Sequence, residues 1–458
     1  MEVSHTLVDK PTPRDVWTAL KELPQRVSAL LKKYESSTTC GFEDFERQLH
    51  ALFAQTECAV TEEALARQDV DLPFVFIDGE MHRRACRCSQ TYLTTAGTVS
   101  VTRTLYRVRR GERAVAALER KVGIVEGYWT PLAARQGAML VSHLTPRDAE
   151  EVLATLGPMQ PSKSSLDRLP KALSARWEAR REAFEATVRE ASAKVPDAAR
   201  AGVVSLDGVM APMRGGYREA SCATVSLVDA DAERLHSVRM GRMPQSHKAT
   251  LKTMLVAEVE AVLAKRPDLT VVKLADGARD NWTFLTGALP DGVELIDFYH
   301  AAEQLKGAFD AAHGVDSPTA AAQFEKFRHR LRHEPDGVER VIRALVYLRS
   351  KHPNQERIAQ VLGYFRTNRH RMGYADAKAQ GLPIGSGVVE AACKTLVTER
   401  LKRSGMRWGS RGGQAILTLR SLVQSRRFVH AWSLLAESYR TQVSCPDNVV
   451  PLRHANIH

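Results

Sequence analysis

A mixed α/β fold is what this sequence predicts, on three observations. Short apolar runs rich in Val and Leu, such as Val203–Leu206 and Val271–Leu274, alternate with longer amphipathic stretches. The spacing of apolar residues switches from helical to period two near residue 72 and returns to helical after residue 125. At 458 residues the chain also exceeds what one simple core supports, so it divides into several domains.

The elements follow in order. Residues 12–70 read as helical, because Val16, Leu20, Leu23, Val27, Leu30 and Leu31 recur at helical spacing with little Pro or Gly among them. From Leu72 the pattern is that of strands. Phe74-Val75-Phe76-Ile77 leads into an Asp78-Gly79 turn, and Thr91–Thr94 and Val99–Thr102 flank Ala96-Gly97 as a hairpin. A helical region of domain 1–71 and a small β-rich subdomain over 72–125 result. Three helices are expected over 126–195: Ala133–Leu144, Pro146–Leu156 with Pro in its first turn, and Ser162–Leu173, where Pro170 kinks the helix or ends it. Short helix, Gly-containing turn and Ser/Lys-rich helix fit either a DNA-reading helix-turn-helix or an ordinary helical hairpin.

The central domain begins after a charged connecting helix over 175–195. Strands are expected at 203–209, 223–228 and 235–240, followed by an amphipathic helix Lys248–Lys265, a strand 270–275, a helix near Trp282–Leu289 and a strand Val293–Ile296. Three strands, helix, strand, helix, strand is the order of a ribonuclease-H-like core, here over 196–310. Residues 311–382 read as an all-helical insertion rich in Arg and Lys, 383–440 as the second part of the core, and 441–458 as a loosely packed tail.

Composition bounds the partners. Lys and Arg total 65 against 53 Asp and Glu, and a net charge of +12 favours a polyanionic partner such as DNA. No basic segment leads into an apolar stretch at the start of the chain, and no apolar run approaches the roughly 18–20 residues that span a bilayer. A soluble, cytoplasmic protein without a membrane partner is expected. Seven dispersed cysteines argue for free thiols rather than a disulfide framework. Cys86-Arg87-Cys88, with His82 and Cys58, offers donors for zinc at a spacing tighter than the usual two to four residues.

The chemistry centres on three carboxylates. Asp207 closes the first central strand and Asp276 the fourth; Glu390 follows the glycine-rich turn Gly385-Ser386-Gly387 at the start of a helix. Strands one and four are neighbours in this fold, so Asp207 and Asp276 are expected side by side, with Glu390 closing the site from a helix over the sheet. Three hard oxygen donors and a DNA phosphate suffice for two Mg²⁺ ions about 3.5–4 Å apart, with Mn²⁺ as a substitute. Asp280, Asp297 and Glu399 are rivals. On a continuous helix over 388–403, Glu390, Lys394, Val397 and Leu401 share one face and Glu399 lies roughly 180° away. At the end of the fifth strand, Asp297 and His300 in Asp297-Phe298-Tyr299-His300 either support the acids and the phosphate or cap the following helix. Lys394, Arg400, Lys402, Arg403, Arg407 and Arg411 form a basic cluster suited to phosphates, and Trp408 either stacks on an unpaired base or belongs to the core.

Leu206-Asp207-Gly208-Val209-Met210, Ala275-Asp276-Gly277-Ala278, Asp297-Phe298-Tyr299-His300 and Gly385-Ser386-Gly387-Val388-Val389-Glu390 closely resemble bacterial insertion-sequence transposases of the DDE type, nearest the ISKra family. Arg400 to Trp408 and Gly127-Tyr128-Trp129-Thr130-Pro131 extend the likeness, which covers about residues 72–435. The resemblance implies that Asp207, Asp276 and Glu390 are the catalytic, metal-holding triad. It also implies binding to the inverted repeats at an element's ends, metal-dependent strand cleavage and strand transfer into target DNA. A bacterial, nucleoid-associated homo-oligomer, dimeric on DNA, is the expected form. The alternatives are a structure-specific nuclease of the same fold and a DNA-binding regulator with a vestigial core.

Overall fold

The computed structural model describes residues 16–36, 41–192 and 195–445. Two compact units emerge, one of residues 1–176 with 432–458 and one of residues 177–431. The division thus falls inside the region 126–195 that the sequence reads as one piece, and a C-terminal segment returns to the N-terminal unit.

In the N-terminal unit, helices Val16–Ser36 and Phe42–Ala66 precede a five-stranded sheet of order β10-β1-β2-β3-β4. Its strands are β1 (Phe74–Ile77), β2 (Glu80–Thr94), β3 (Gly97–Arg107) and β4 (Val115–Ala116). The β1–β2 turn needs Asp78 and Gly79 at φ 53° and 78°, which is why a turn-forming Asp-Gly pair stands there. Leu65, Tyr92, Val99, Val101, Leu118 and Ile124 form one core beneath the long hairpin. Within the expected tail, residues 443–444 form a strand. This strand, β10 (Val443–Ser444), pairs antiparallel with β1, Phe76 opposite Ser444. Residues 446–458 lie outside the described residues.

The expected three helices are present as Pro131–His143, Pro146–Leu156 and Lys163–Ala179. Thr145 and Asp148 cap the second reciprocally, the Asp148 amide donating to Thr145 Oγ1 at 3.1 Å. Pro170 does not end the third helix, which continues nine residues beyond it to Ala179.

The second unit is built on β5 (Ala201–Met213), β6 (Gly216–Val228), β7 (Arg234–Arg242), β8 (Thr270–Ala275) and β9 (Val293–Ile296), in the order β7-β6-β5-β8-β9. β5, β6 and β7 pair antiparallel, whereas β8 pairs parallel to β5 and β9 parallel to β8. Helices Ala249–Lys265 and Arg279–Ala288 supply the crossovers. The parallel strands are rich in Val, Leu and Ile because both faces are covered. Within β8 the exception is Lys273, 2% exposed, which meets Glu294 of β9 at 3.7 Å.

Helices Pro318–His333, Gly337–Lys351, Glu356–Asn368 and Tyr374–Ala379 occupy the stretch expected as an insertion. They do not form a separate body. Leu331, Val341, Leu345, Ile358, Phe365 and Tyr374 belong to the same apolar core as Val204, Leu274 and Ile296 of the sheet. The basic excess is also partly neutralised locally. Arg328 pairs with Glu325, Arg340 with Glu334 and Asp336, and Arg371 with Glu294.

One buried acid makes this unit's stability depend on pH. Glu185, on helix Arg181–Ser192, has its carboxyl pushed up from 4.5 to about 7 by burial, against the opposing pull of Arg181 and Arg189. A folded-state value above the unfolded one contributes stability below the unfolded value, and that contribution disappears as pH rises through about 7. Glu185→Gln should therefore be more stable than wild type at pH 8, by at most about 3 kcal/mol, with a much smaller difference at pH 5. Denaturant titrations at the two pH values check this; equal differences would refute it.

Candidate active site

The first two acids meet through strand register. β5 and β8 pair from Ala201 opposite Thr270 to Val204 opposite Lys273, an offset of 69 residues. Asp207 and Asp276 have the same offset (276 − 207), so the register, carried three residues past the last pair, brings them level. β8 ends at Ala275, and β5 does not end at Asp207: it runs on to Met213 as the partner of β6. Asp207 thus stands at the fork where two parallel strands separate, the crevice beyond their carboxyl ends. Their approach shows in the electrostatics. The Asp207 carboxyl is raised above its usual range by burial first and by Asp276 second among the raising influences, while the Gly208 amide, Cys393 and Lys248 lower it.

Each carboxylate is held by its own loop. Asp207 Oδ1 accepts from the Gly208 amide at 2.7 Å, and Oδ2 from the Cys393 thiol at 3.6 Å. Asp276 Oδ1 accepts from the Ala278 amide at 3.1 Å and from Asn281 Nδ2 at 3.2 Å. This is the turn-forming role an Asp before Gly often takes, yet it leaves Oδ2 of Asp276 without a hydrogen bond among the described residues. Asn281 in turn accepts from Lys248 Nζ at 3.3 Å, and Lys248 pairs with Glu219 at 2.7 Å. Lys248 has φ 56°, a left-handed backbone at the start of helix Ala249–Lys265.

Two glycines stand close against neighbouring side chains beside the acids, Gly277 against the Tyr364 ring and Gly208 against the movable end of Glu219. A Cβ on Gly208 would lie 2.2 Å from Glu219 Oε1, and one on Gly277 would lie 2.4 Å from the Tyr364 ring.

Glu390 comes from helix Gly387–Ala392, and its Oε1 accepts from Ser386 Oγ at 3.2 Å. The Ser386 amide donates to Asp297 Oδ2, and Asp297 Oδ1 accepts from the His300 amide at 2.7 Å. Asp297, 1% exposed, therefore caps helix Phe298–His313 and ties it to the glycine-rich turn that presents Glu390. The His300 imidazole turns instead to Glu303, at 3.9 Å. Of the two expected supporting residues, Asp297 acts through the Ser386 turn and His300 contributes its backbone.

The Glu390 helix is not continuous. After Ala392 the chain takes a π-helical turn, Cys393–Thr398, before Glu399–Leu401. An i to i+5 turn breaks the 100° step, so the shared face expected of Glu390, Lys394, Val397 and Leu401 does not form. Glu390 and Lys394 are exposed, whereas Val397 and Leu401 are fully buried. Glu399 lies 4.0 Å from Arg420 and is engaged away from Asp207 and Asp276.

The structure thus brings Asp207 and Asp276 together and links the Glu390 segment to Asp207 through Cys393 and to the end of β9 through Asp297. It does not close the three into one centre: among the described residues no group of three or more His, Cys, Asp or Glu is gathered to hold a metal ion. The same holds for His82, Cys58, Cys86 and Cys88, and the Cys58 thiol lies 3.1 Å from the Ala96 carbonyl oxygen.

Around the site, Lys394, Lys402, Arg403, Arg407 and Arg411 are exposed. Arg400 is not: it is 1% exposed, with its guanidinium 5.4 Å from the centre of the Trp408 ring, so the expected phosphate contact is replaced by a core position. Trp408 is half-buried and packs against the core. Its indole Nε1 donates to the Leu401 carbonyl at 2.9 Å, and its backbone bridges to Met213 at the end of β5. Sequence reasoning missed Lys248, Asn281, Ser386, Cys393 and Tyr364. Only Ser386 carried a signal, as the middle residue of the Gly-Ser-Gly turn.

No protein-family model and no curated protein matches the chain. Among solved structures, a crystal structure of NurA with manganese aligns at 15% identity over 60% of this chain and 66% of that one, just under two thirds, with a TM-score of 0.10. A likeness of that size carries no argument about fold or activity.

Proposed function

We propose that the chain is a DDE transposase with a ribonuclease-H-like core, which cuts DNA at the ends of an insertion sequence and joins them to target DNA. The observation that carries the reading is the in-register approach of Asp207 and Asp276 at the fork of β5 and β8. The strand order β7-β6-β5-β8-β9, with three antiparallel strands followed by two parallel ones, supports the core assignment. The resemblance of the acidic motifs to the ISKra family supports the reaction.

The donor set suits Mg²⁺ or Mn²⁺. All three acids offer hard oxygens, and Asp276 Oδ2 and Glu390 Oε2 make no hydrogen bond among the described residues. When bound, two such ions stabilise charge on the attacking and leaving oxygens of a phosphodiester. The chain's own residues do the rest. Burial and the neighbouring carboxylate make metal-free Asp207 unfavourable as an anion, which favours cation binding. Lys248 sets a positive charge beside Asp207 and Asp276, and the Asp297–Ser386 link fixes the turn that presents Glu390.

Exposed Lys402, Arg403 and Arg407 hold duplex phosphates in this reading. Replacing all three by Ala should weaken binding to any duplex and flatten the log–log salt dependence by roughly 0.9 per lost contact. An unchanged slope removes the segment from the DNA interface.

The reading is tested by incubating the protein with Mg²⁺ and a labelled duplex carrying the inverted repeat that brackets its gene. Cut and joined products are expected. Cutting without joining would favour the nuclease alternative, and binding without cutting the regulator.

A further inference from the structure

A cavity of about 490 Å³ opens among helices Phe298–His313, Pro318–His333 and Gly337–Lys351 of the second unit, and none of the three acids lines it. Its size falls in the range of small-molecule sites. Helical spacing builds its walls. Lys326 and Phe327 stand four and three residues before Arg330 on one helix, and Arg340, Arg343 and Tyr347 stand three and four apart on the next, so each set shares a face.

Four Lys and Arg side chains line the cavity, and no acid does so among the described residues. Glu334 and Asp336 pair from outside with Arg330, Arg340 and Arg343, which leaves an excess of two positive charges (4 − 2). Lys326 is exposed, and its ammonium stands 5.8 Å from the centre of the Phe327 ring rather than beside an acid. The apolar part is aromatic. Phe327 stacks on buried Phe309 with ring centres 5.6 Å apart, and Tyr347 lines the cavity while 61% exposed, so its ring stands at the opening.

A ligand that matches this lining is anionic at one end and flat at the other. Inorganic phosphate would leave the rings unused, and a neutral ring would leave the positive excess unmatched. A nucleotide carries both parts, and aromatic stacking beside cations is the general means by which unpaired nucleotides are held. A duplex keeps its bases stacked inside and offers the cavity no ring.

We propose that this cavity is a nucleotide-binding site, which takes an unpaired base against Tyr347 and the attached phosphate on Lys326 and Arg343. The same chemistry serves a free nucleotide and a nucleotide within a single strand. The proposal is independent of the transposase reading, because it asks nothing of Asp207, Asp276 or Glu390.

Photolabelling of the full-length protein tests it. The probes are a thymidine trinucleotide carrying 5-iododeoxyuridine, for the strand, and 8-azido-dAMP, for the free nucleotide; cross-linked peptides are identified by mass spectrometry. At least one probe should label residues between 309 and 348. Tyr347→Ala should weaken binding of that probe by about 5- to 150-fold, and Tyr347→Phe should keep it within about twofold. Both variants should melt with wild type, because the ring is largely exposed. Lys326→Gln combined with Arg343→Gln should flatten the log–log salt dependence of trinucleotide binding by about 0.7 per lost contact. Stronger labelling by the trinucleotide identifies a strand as the ligand, and stronger labelling by 8-azido-dAMP a free nucleotide. No label in this segment, unchanged binding by Tyr347→Ala, or displacement of the probe by polyglutamate as readily as by its unlabelled form would overturn the proposal. Duplex cleavage is not part of the readout, so each of these results leaves the transposase reading standing.

Discussion

Asp207→Asn is expected to bind DNA, to lose cleavage by more than about 100-fold, and in the absence of metal to melt no lower than wild type. The loss should exceed the 10- to 100-fold typical of residues that merely support a metal ligand. The stability half of the expectation follows from the sign of the Asp207 shift. Its carboxyl is raised by burial and by Asp276, so the folded protein holds the proton more tightly than the unfolded chain does. The stability gained from that proton is present below the ordinary carboxylate range and lost as pH rises through the raised value. Above that raised value the metal-free wild type carries an ionised Asp207 at a disadvantage, and Asn removes it. Mg²⁺ at about 100 times its dissociation constant should stabilise wild type by about 2.7 kcal/mol and the variant much less. Scanning both proteins with and without Mg²⁺ decides the matter. A variant that cuts normally would show that the active site lies elsewhere.

The largest effect on stability is expected from the buried pair Glu258–Arg427. Glu258 is 3% exposed and Arg427 8%, and the guanidinium grips the carboxylate in two bonds of 2.8 and 2.5 Å. Removing one partner leaves the other charge buried and uncompensated, so Glu258→Ala or Arg427→Ala should destabilise the protein by about 3–5 kcal/mol. Replacing both with apolar residues of similar volume should recover much of the loss. The neighbourhood connects this pair to the site. Ser425 bonds both the amide and the carbonyl of Arg239 on β7, and Gln424 accepts from Thr395 in the π-helical turn beyond Glu390. Single variants should thus lose cleavage in step with folded protein, read by comparing activity with circular dichroism across temperature. Full stability in either single variant would contradict this view of the pair.

Much of the second unit was legible in the sequence because its signals are local. The apolar runs at 203–206 and 271–274 and the amphipathic stretch between them suffice to call strand, helix and strand, and their spacing anticipates the shared offset of 69 that aligns Asp207 with Asp276. Strand ends were less legible. β5 continues past Asp207 because β6 remains available as a partner, and pairing with a later strand leaves no mark at residue 207. The π-helical turn at Cys393–Thr398 was hidden for a similar reason: the choice between i+4 and i+5 bonding is made by what packs around it, here Leu396 and Val397 against the sheet and Thr395 against Gln424. That choice moved Glu399 to Arg420 and put Leu401 in the core. Charge misled at Arg400, because a basic residue inside a basic run reads as surface until Trp408 is seen to cover it. Tyr364 gave no signal at all. Its partner glycine is 87 residues earlier (364 − 277), and only the folded chain brings them together.

The central claim is that Asp207, Asp276 and Glu390 together hold a divalent cation, and metal-directed cleavage of the polypeptide tests it without knowledge of any DNA end. Fe²⁺ with ascorbate and peroxide generates hydroxyl radicals at the occupied site, and these cut the nearest backbone. Fragments ending close to residues 207, 276 and 390 are expected together, suppressed by excess Mg²⁺ and absent from Asp207→Asn. Cutting at 207 and 276 without 390, or at sites remote from all three, would contradict the assignment of Glu390 or of the whole centre.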